Sequence, residues 1–455
     1  MKRLPTLRVA VIGAGWAGCA AAVEATRAGH QVTLFEAART AGGRARALAL
    51  PQASGTELLL DNGQHILSGA YRSCLQLMRE LGVDTDAALL RLPLRLQSPD
   101  GQGLALPESA LARRLPGALQ AAWGIVAASG WTGADKLALM QRAARWQAMG
   151  FDCAPHLSVA SLCHGLSPAL MQSLIEPLCV SALNTPPERA SAQVFLRVLK
   201  DALFAEAGGA DLLLPRQDLG ALLPDAALAW LAHNGARVCL GARVSGLTAA
   251  PQPGGRTRWQ LHAALPAASA AEQADDLVFD AVVLACPAPE AARLATAIAP
   301  GWAATAQALT HEAIATVYAC APTGTRLAQP MLALPSGPQT PAQFVFDRGQ
   351  LGGPAGLLAF VVSASQGDAQ SLTAQVLAQA ERQLGLEVQA LQTVVEKRAT
   401  FACTPGLLRP GAAVLPAAGL LACGDYVAGP YPATLEGAVR SGLAAAQLLG
   451  RFIPT

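Results

Sequence analysis

The tightest constraint on this chain lies near its N-terminus, where a short β-branched run meets three spaced glycines. Arg8-Val-Ala-Val-Ile12 feeds directly into Gly13-Ala-Gly15-Trp-Ala-Gly18. The pattern predicts a strand, a tight turn and a helix over Cys19–Ala28 stopped by Gly29, then a second strand, Gln31–Glu36, that finishes in an acid. Each position has a physical task. Gly13 makes the turn, Gly15 lets backbone approach a pyrophosphate, and Gly18 lets helix and strand pack closely. The free N–H groups of the helix N-terminus favour an anion there. Glu36, twenty-three residues after Gly13, is placed to hold ribose hydroxyls. The whole turn, Gly13, Ala14, Gly15, Trp16, Ala17 and Gly18, is therefore the candidate dinucleotide site. Just beyond it, Gly42 and Gly43 precede Arg44, so that backbone can pass beside the cofactor and a guanidinium fork can reach a phosphate.

Composition narrows what surrounds this unit. Lys+Arg 33 against Asp+Glu 31 gives a net charge of +2, which argues against a nucleic-acid binder with its clustered cations. Charged residues make up 14% and hydrophobic residues 52%, so disorder is excluded. A membrane span needs about 20 consecutive apolar residues. The runs Val9–Val23 and Leu115–Ala134 are both broken by glycines, and neither qualifies. No signal-peptide cleavage pattern follows Lys2 and Arg3, which together with ten irregularly spaced cysteines and no C-x-x-C pair predicts a reducing, cytoplasmic setting. No metal-ligand spacing is present, and the cysteines read as buried free thiols.

The length predicts two or three domains, interleaved along the chain. The first 46 and last 40 or so residues share the texture of a nucleotide-binding unit, whereas residues 104–150 are rich in Ala, Leu and Arg at helical spacing. Strands are expected at Arg237–Thr248, Trp259–Ala263 and Val278–Cys286, with loops at Pro251–Gly255 and Pro266–Asp276. A further set is expected at Ala313–Cys320, Gln343–Phe346 and Leu357–Ser363, before a helix over Leu372–Leu384. Leu89–Leu96 alternates apolar residues with basic residues or Pro, as a single strand would.

With Gly42-Gly43-Arg44 following the acid, the sequence resembles the FAD-dependent amine oxidase and phytoene desaturase superfamily. Two more segments carry the resemblance: Asp61-Asn-Gly63-Gln64-His65 with Gly69-Ala-Tyr71, and Gly424-Asp425-Tyr426 through Tyr431 to Thr434-Leu435-Glu436-Gly-Ala-Val439. Together they are most similar to the squalene-associated branch, the hydroxysqualene dehydroxylases. The strong motifs fall in the first 75 and last 35 residues; the middle is matched by texture.

The resemblance implies an α/β fold: a Rossmann-like, glutathione-reductase-type FAD-binding domain from residues 1–75, 212–300 and 415–455, with an interleaved α+β substrate domain from 76–211 and 301–414. It implies that Gly424 and Asp425 meet ribityl or diphosphate oxygens, that Thr434, Leu435 and Glu436 open a helix facing the flavin, and that Gly63 and Gln64 run past the isoalloxazine. Val244 corresponds to a valine whose backbone contacts adenine. The implied substrate is a lipophilic C30 allylic alcohol, with the upstream squalene-pathway synthases as partners.

Hydroxide is a poor leaving group in an apolar pocket, so a proton donor is expected: His65 first, then Tyr426 and Tyr431. Arg113, Arg114, Lys136, Arg142 and Arg145 lie among apolar residues of Leu104–Phe151, which suits either a core helix with a solvated face or peripheral contact with the inner face of the cell membrane. Two other readings stay open: a phytoene-type desaturase, and a non-catalytic prenyl-lipid carrier of the same fold, which the intact glycine, Glu36, Arg44 and Asp425 set opposes.

Overall fold

A computed structural model of the chain describes residues 6–51, 55, 57–109, 112–205, 208–251, 257–265, 277–414 and 417–452. The loop expected over 266–276 and most of that expected over 251–255 lie outside the described residues.

The N-terminal pattern builds the centre of a five-stranded parallel sheet in the order Arg237–Leu240, Gln31–Glu36, Arg8–Ile12, Ala281–Leu284, Leu420–Ala422. Ala281–Leu284 and Leu420–Ala422 are buried at every residue, as strands covered on both faces must be. One face is covered by the helix Trp16–Arg27, which packs against the C-terminal helix Leu435–Leu448. A Cβ on Gly442 would stand 2.2 Å from the Ala17 carbonyl oxygen, so these two helices approach only because that side chain is missing.

The second large sheet is antiparallel, in the order Met331–Ala333, Phe344–Asp347, Leu357–Ser363, His311–Cys320, Gln389–Phe401. Leu357–Ser363 is wholly buried, because the helix Ala369–Leu384 packs one face of this sheet and the main core packs the other. Alternation then decides what faces the site: Ile314, Phe344, Phe346, Val361 and Ser363 line one common cavity.

Three expected strands divide, among them Val278–Cys286, which gives Val278–Phe279 in a three-stranded sheet and Ala281–Leu284 in the parallel sheet. Leu89–Leu96 breaks at Pro93 into Leu89–Leu92 and Arg95–Gln97, which join different sheets. Arg237–Thr248 breaks at Gly241, whose φ of 70° turns the chain out of the parallel sheet into the strand Arg243–Pro251. The region 104–151 forms two helices, Gly117–Ala127 and Gly133–Ala148, the second opened by a reciprocal Thr132–Asp135 capping box. Among the described residues no helix is long and apolar enough to cross a membrane.

Candidate active site

The two sheets enclose a cavity of about 850 Å³, lined by residues from both ends and the middle of the chain. At its floor the first strand delivers Gly13, whose N–H donates to the Phe35 carbonyl at 2.7 Å. The helix then starts at Trp16, three residues before the sequence pattern places it, because the glycine turn supplies its N-cap. That cap is Gly15. No side chain bonds back to the helix N-terminus, and the space beside Gly15 is open. Gly18 lies inside the helix, where a Cβ would stand 1.8 Å from the Gly13 carbonyl oxygen; its task is packing, and it does not line the cavity. Ala14 is likewise behind the wall, with its N–H on Glu36 Oε2 at 2.8 Å and its carbonyl accepting the Gly42 N–H at 2.8 Å. Trp16 and Ala17 line the cavity, the indole fixed by Nε1–H donation to Ala45 O at 3.0 Å.

Glu36 lines the cavity as well, held by the N–H groups of Ala14 and Ala38, both at 2.8 Å. Beside it come Gly42, Gly43 and Arg44. Arg44 donates from Nη2 to Asp425 Oδ1 at 2.5 Å and from Nη1 to Ala399 O at 2.8 Å, tying three distant parts of the chain together. Desolvation works against this cation, but the Asp425 carboxylate outweighs it, and the guanidinium is held more firmly protonated than usual. Val244 lines the far end, buried beside a bulge at Val244/Gly246.

The wall facing the antiparallel sheet is the segment Asn62–Ile66. Gln64 is anchored there by Arg348 Nη1 on its Oε1 at 3.1 Å and by its own N–H on Thr316 Oγ1 at 3.4 Å. His65 Nδ1 lies 2.7 Å from the Gly63 carbonyl, which can only accept, so Nδ1 carries the proton and Nε2 is the atom left to titrate. Desolvation holds this imidazole below its usual pKa; the Gly63 hydrogen bond opposes that effect and the Arg44 cation adds to it.

The three catalytic candidates are not brought together. His65 faces the cavity. Tyr426 lies behind the wall, its hydroxyl buried without a hydrogen-bond partner among the described residues and pushed far above the usual range by desolvation and then by neighbouring thiols. Tyr431 lies on an adjoining pocket, its ring centre 5.7 Å from the Arg197 guanidinium and 5.0 Å from that of Arg440. Gly424 is not among the lining residues, while Asp425, Thr434 and Leu435 are. Glu436 turns away entirely. Its carboxylate accepts the N–H groups of Ser73 at 3.1 Å and Cys74 at 3.0 Å, capping the helix Arg72–Glu80.

Sequence reasoning missed Glu396 and Arg398 on the long strand, and Arg46, Arg243 and Glu290, which also line the cavity. These sit in strands, a loop and, for Glu290, the first turn of the helix Ala288–Ala295, without a recognisable spacing. Asn62 carried a signal in its motif: it clamps the glycine–arginine segment by donating to Arg44 O at 2.9 Å and accepting from Arg46 N at 3.1 Å.

The adjoining pocket, about 170 Å³, is lined mainly by Leu, Ala, Val and Phe side chains. Ile66, Tyr71, Ser181, Ala182, Phe344 and Thr434 line both spaces, so the pocket continues the cavity.

These features fit a flavin dinucleotide. An uncapped helix N-terminus with open space beside Gly15 suits a diphosphate, Glu36 suits a ribose, and Asp425 with the Thr434-capped helix N-terminus faces the other end. Comparison with known proteins agrees. Residues 16–449 match the family of flavin containing amine oxidoreductases. The chain is 31% identical to the hydroxysqualene dehydroxylase of Rhodopseudomonas palustris, over 97% of this chain and 98% of that one. It is 28% identical to the Sinorhizobium fredii protein of the same name, over 97% of each. A putrescine oxidase variant superposes with a TM-score of 0.69 at 17% identity, over 98% of this chain and 100% of that one, which supports the fold. With its glycine turn, acid and paired Arg44–Asp425 set around one cavity, the chain belongs to the flavin-containing amine oxidoreductase family and is an FAD-dependent oxidoreductase.

Proposed function

We propose that the enzyme reductively removes the allylic hydroxyl of hydroxysqualene, giving squalene for hopanoid or triterpenoid synthesis. The observation that carries this reading is the apolar pocket that continues the cofactor cavity past His65's neighbour Ile66 and Phe344. A polyisoprenoid arm gains about 0.8 kcal/mol per buried CH₂ in such a space. Reduced FAD, when bound, supplies a hydride equivalent, two electrons and one hydrogen. The C–O bond breaks, a C–H bond forms at the allylic carbon, and the hydroxide takes one proton to leave as water. His65 holds that hydroxyl: as an imidazolium it donates from Nε2, and its lowered pKa makes it a stronger acid than a free imidazole. Arg348 and Thr316 keep the Asn62–Ile66 segment in place through Gln64. Contact with the inner face of the cell membrane, and with the upstream synthases that make the alcohol, belongs to the same reading.

The test is an anaerobic assay of the dithionite-reduced holoenzyme with hydroxysqualene, followed by chromatography and mass spectrometry. Squalene in stoichiometric amount with reoxidised flavin is expected. Inertness toward the alcohol, with turnover of phytoene by the oxidised enzyme, would instead assign the desaturase reading.

A further inference from the structure

We infer that the hairpin formed by helices Gly117–Ala127 and Gly133–Ala148 seats the enzyme on an anionic lipid surface. Five of the seven large apolar side chains most exposed among the described residues lie on this one hairpin: Leu119, Trp123, Val126, Leu137 and Met149, at 45 to 60% exposure. Leu119, Trp123 and Val126 follow the i, i+4, i+7 rule and share one face, while Ala121, Gly124 and Ile125 are buried on the other. The exposed face is thus not a core face lacking a neighbour. The first helix already packs closely inward, since a Cβ on Gly124 would stand 2.9 Å from the Leu106 side chain.

Charge selects the partner. Residues 112–149 hold five cations and one carboxylate, whereas the whole chain carries only +2, so the remainder is net negative. Lys136 donates to Val126 O at 2.8 Å, and Arg142 to Leu162 O at 2.9 Å and His164 O at 2.7 Å. Carbonyl acceptors orient these cations without neutralising them. Arg113 shares the single Asp211 carboxylate with Arg91. An apolar face carrying Trp and flanked by uncompensated cations is the chemistry of an anionic membrane interface.

The surface also touches the route to the site. A Cβ on Gly117 would stand 2.1 Å from the Leu203 carbonyl oxygen, so the hairpin starts against the segment Lys200–Ala205. Asp201, Ala202 and Leu203 of that segment line the apolar pocket. The purpose assigned to the surface, passage of a lipid-dissolved substrate, rests on the proposed isoprenoid reaction; its chemistry does not.

The experiment is vesicle co-sedimentation of the holoenzyme, without substrate. Equimolar phosphatidylcholine/phosphatidylglycerol vesicles should retain it, and pure phosphatidylcholine vesicles or high salt should retain it less. The triple variant Leu119→Ser, Trp123→Ser, Val126→Ser should lose about tenfold or more in partition while keeping its flavin absorbance and melting midpoint. Equal partition of variant and parent overturns the inference. So does a concentration-dependent dimer in vesicle-free buffer that the triple variant abolishes, which would give this face to a second copy. Turnover of detergent-dispersed hydroxysqualene is read separately: its loss in the parent counts against the proposed reaction and leaves the vesicle result standing.

Discussion

At the scale of single residues, His65 is where the chemistry can be tested by pH. Burial, with the Arg44 cation adding to it, holds the imidazole below the ordinary value, so the imidazolium fraction rises as pH falls from 7 through and below 6.5. If Nε2 donates the proton, single-turnover reoxidation by hydroxysqualene should accelerate toward acid pH, approaching tenfold per unit above the pKa. His65→Gln should flatten that profile and slow the step by roughly 10²- to 10⁴-fold with FAD still bound. Parallel profiles for parent and variant would remove His65 from the proton transfer. The same shift has a stability sign: the unfolded chain binds this proton more readily, so His65's contribution is present at higher pH and fades as pH falls through 6.5 and below. Residue-level legibility was uneven for a physical reason. Gly15, Glu36 and Arg44 act through spacing that a sequence displays, whereas Glu436 lies one residue from cavity-lining Leu435 yet points to Ser73 and Cys74, a direction that only the helix phase decides.

At the scale of elements, the packing of the first and last helices is set by absence of a side chain. Gly442→Ala should destabilise the holoenzyme by about 1–3 kcal/mol in chemical denaturation, because backbone at Ala17 must move. Gly301→Ala is the control: nothing lies within 4 Å of its Cβ, and the change should be neutral or slightly stabilising. Equal costs at the two positions would refute the close-approach account. The strands Gln31–Glu36 and Leu357–Ser363 match the boundaries read from the sequence, since both are apolar runs bounded by turn residues. The failures were breaks inside runs. Pro93 and Gly241 each end a strand within a pattern that alternates or stays apolar across them, and the partner sheets that receive the two halves are far away in sequence. Glu396 and Arg398 were illegible because a 13-residue strand with a mixed polar pattern carries no sign of which residues meet a cavity.

At the scale of the whole molecule, the cofactor cavity joins segments near residues 12–46, 242–290 and 396–438. FAD bound there stabilises only the assembled state, by about 2.7 kcal/mol when its free concentration is a hundred times Kd. Stripping the flavin should therefore lower the unfolding midpoint, and restoring it should raise the midpoint in a concentration-dependent way. A midpoint indifferent to FAD would mean that the cavity is not where it binds. The 52% hydrophobic content is now divisible among two sheets whose central strands are buried, an apolar pocket and one outward-facing hairpin, and among the described residues no helix is long and apolar enough to cross a membrane.

The strand order of the parallel sheet also sets a timetable for synthesis. Arg8–Ile12 leaves the ribosome first, yet its neighbour Ala281–Leu284, and the edge strand Leu420–Ala422 beyond that, come far later. At translation rates of about 5–20 residues per second, the first strand waits roughly 20 to 80 s for the edge strand that completes its sheet. Throughout that interval Val9, Val11 and Ile12, buried in the finished protein, belong to a nascent chain whose sheet is incomplete, the situation in which transiently exposed apolar surface favours aggregation.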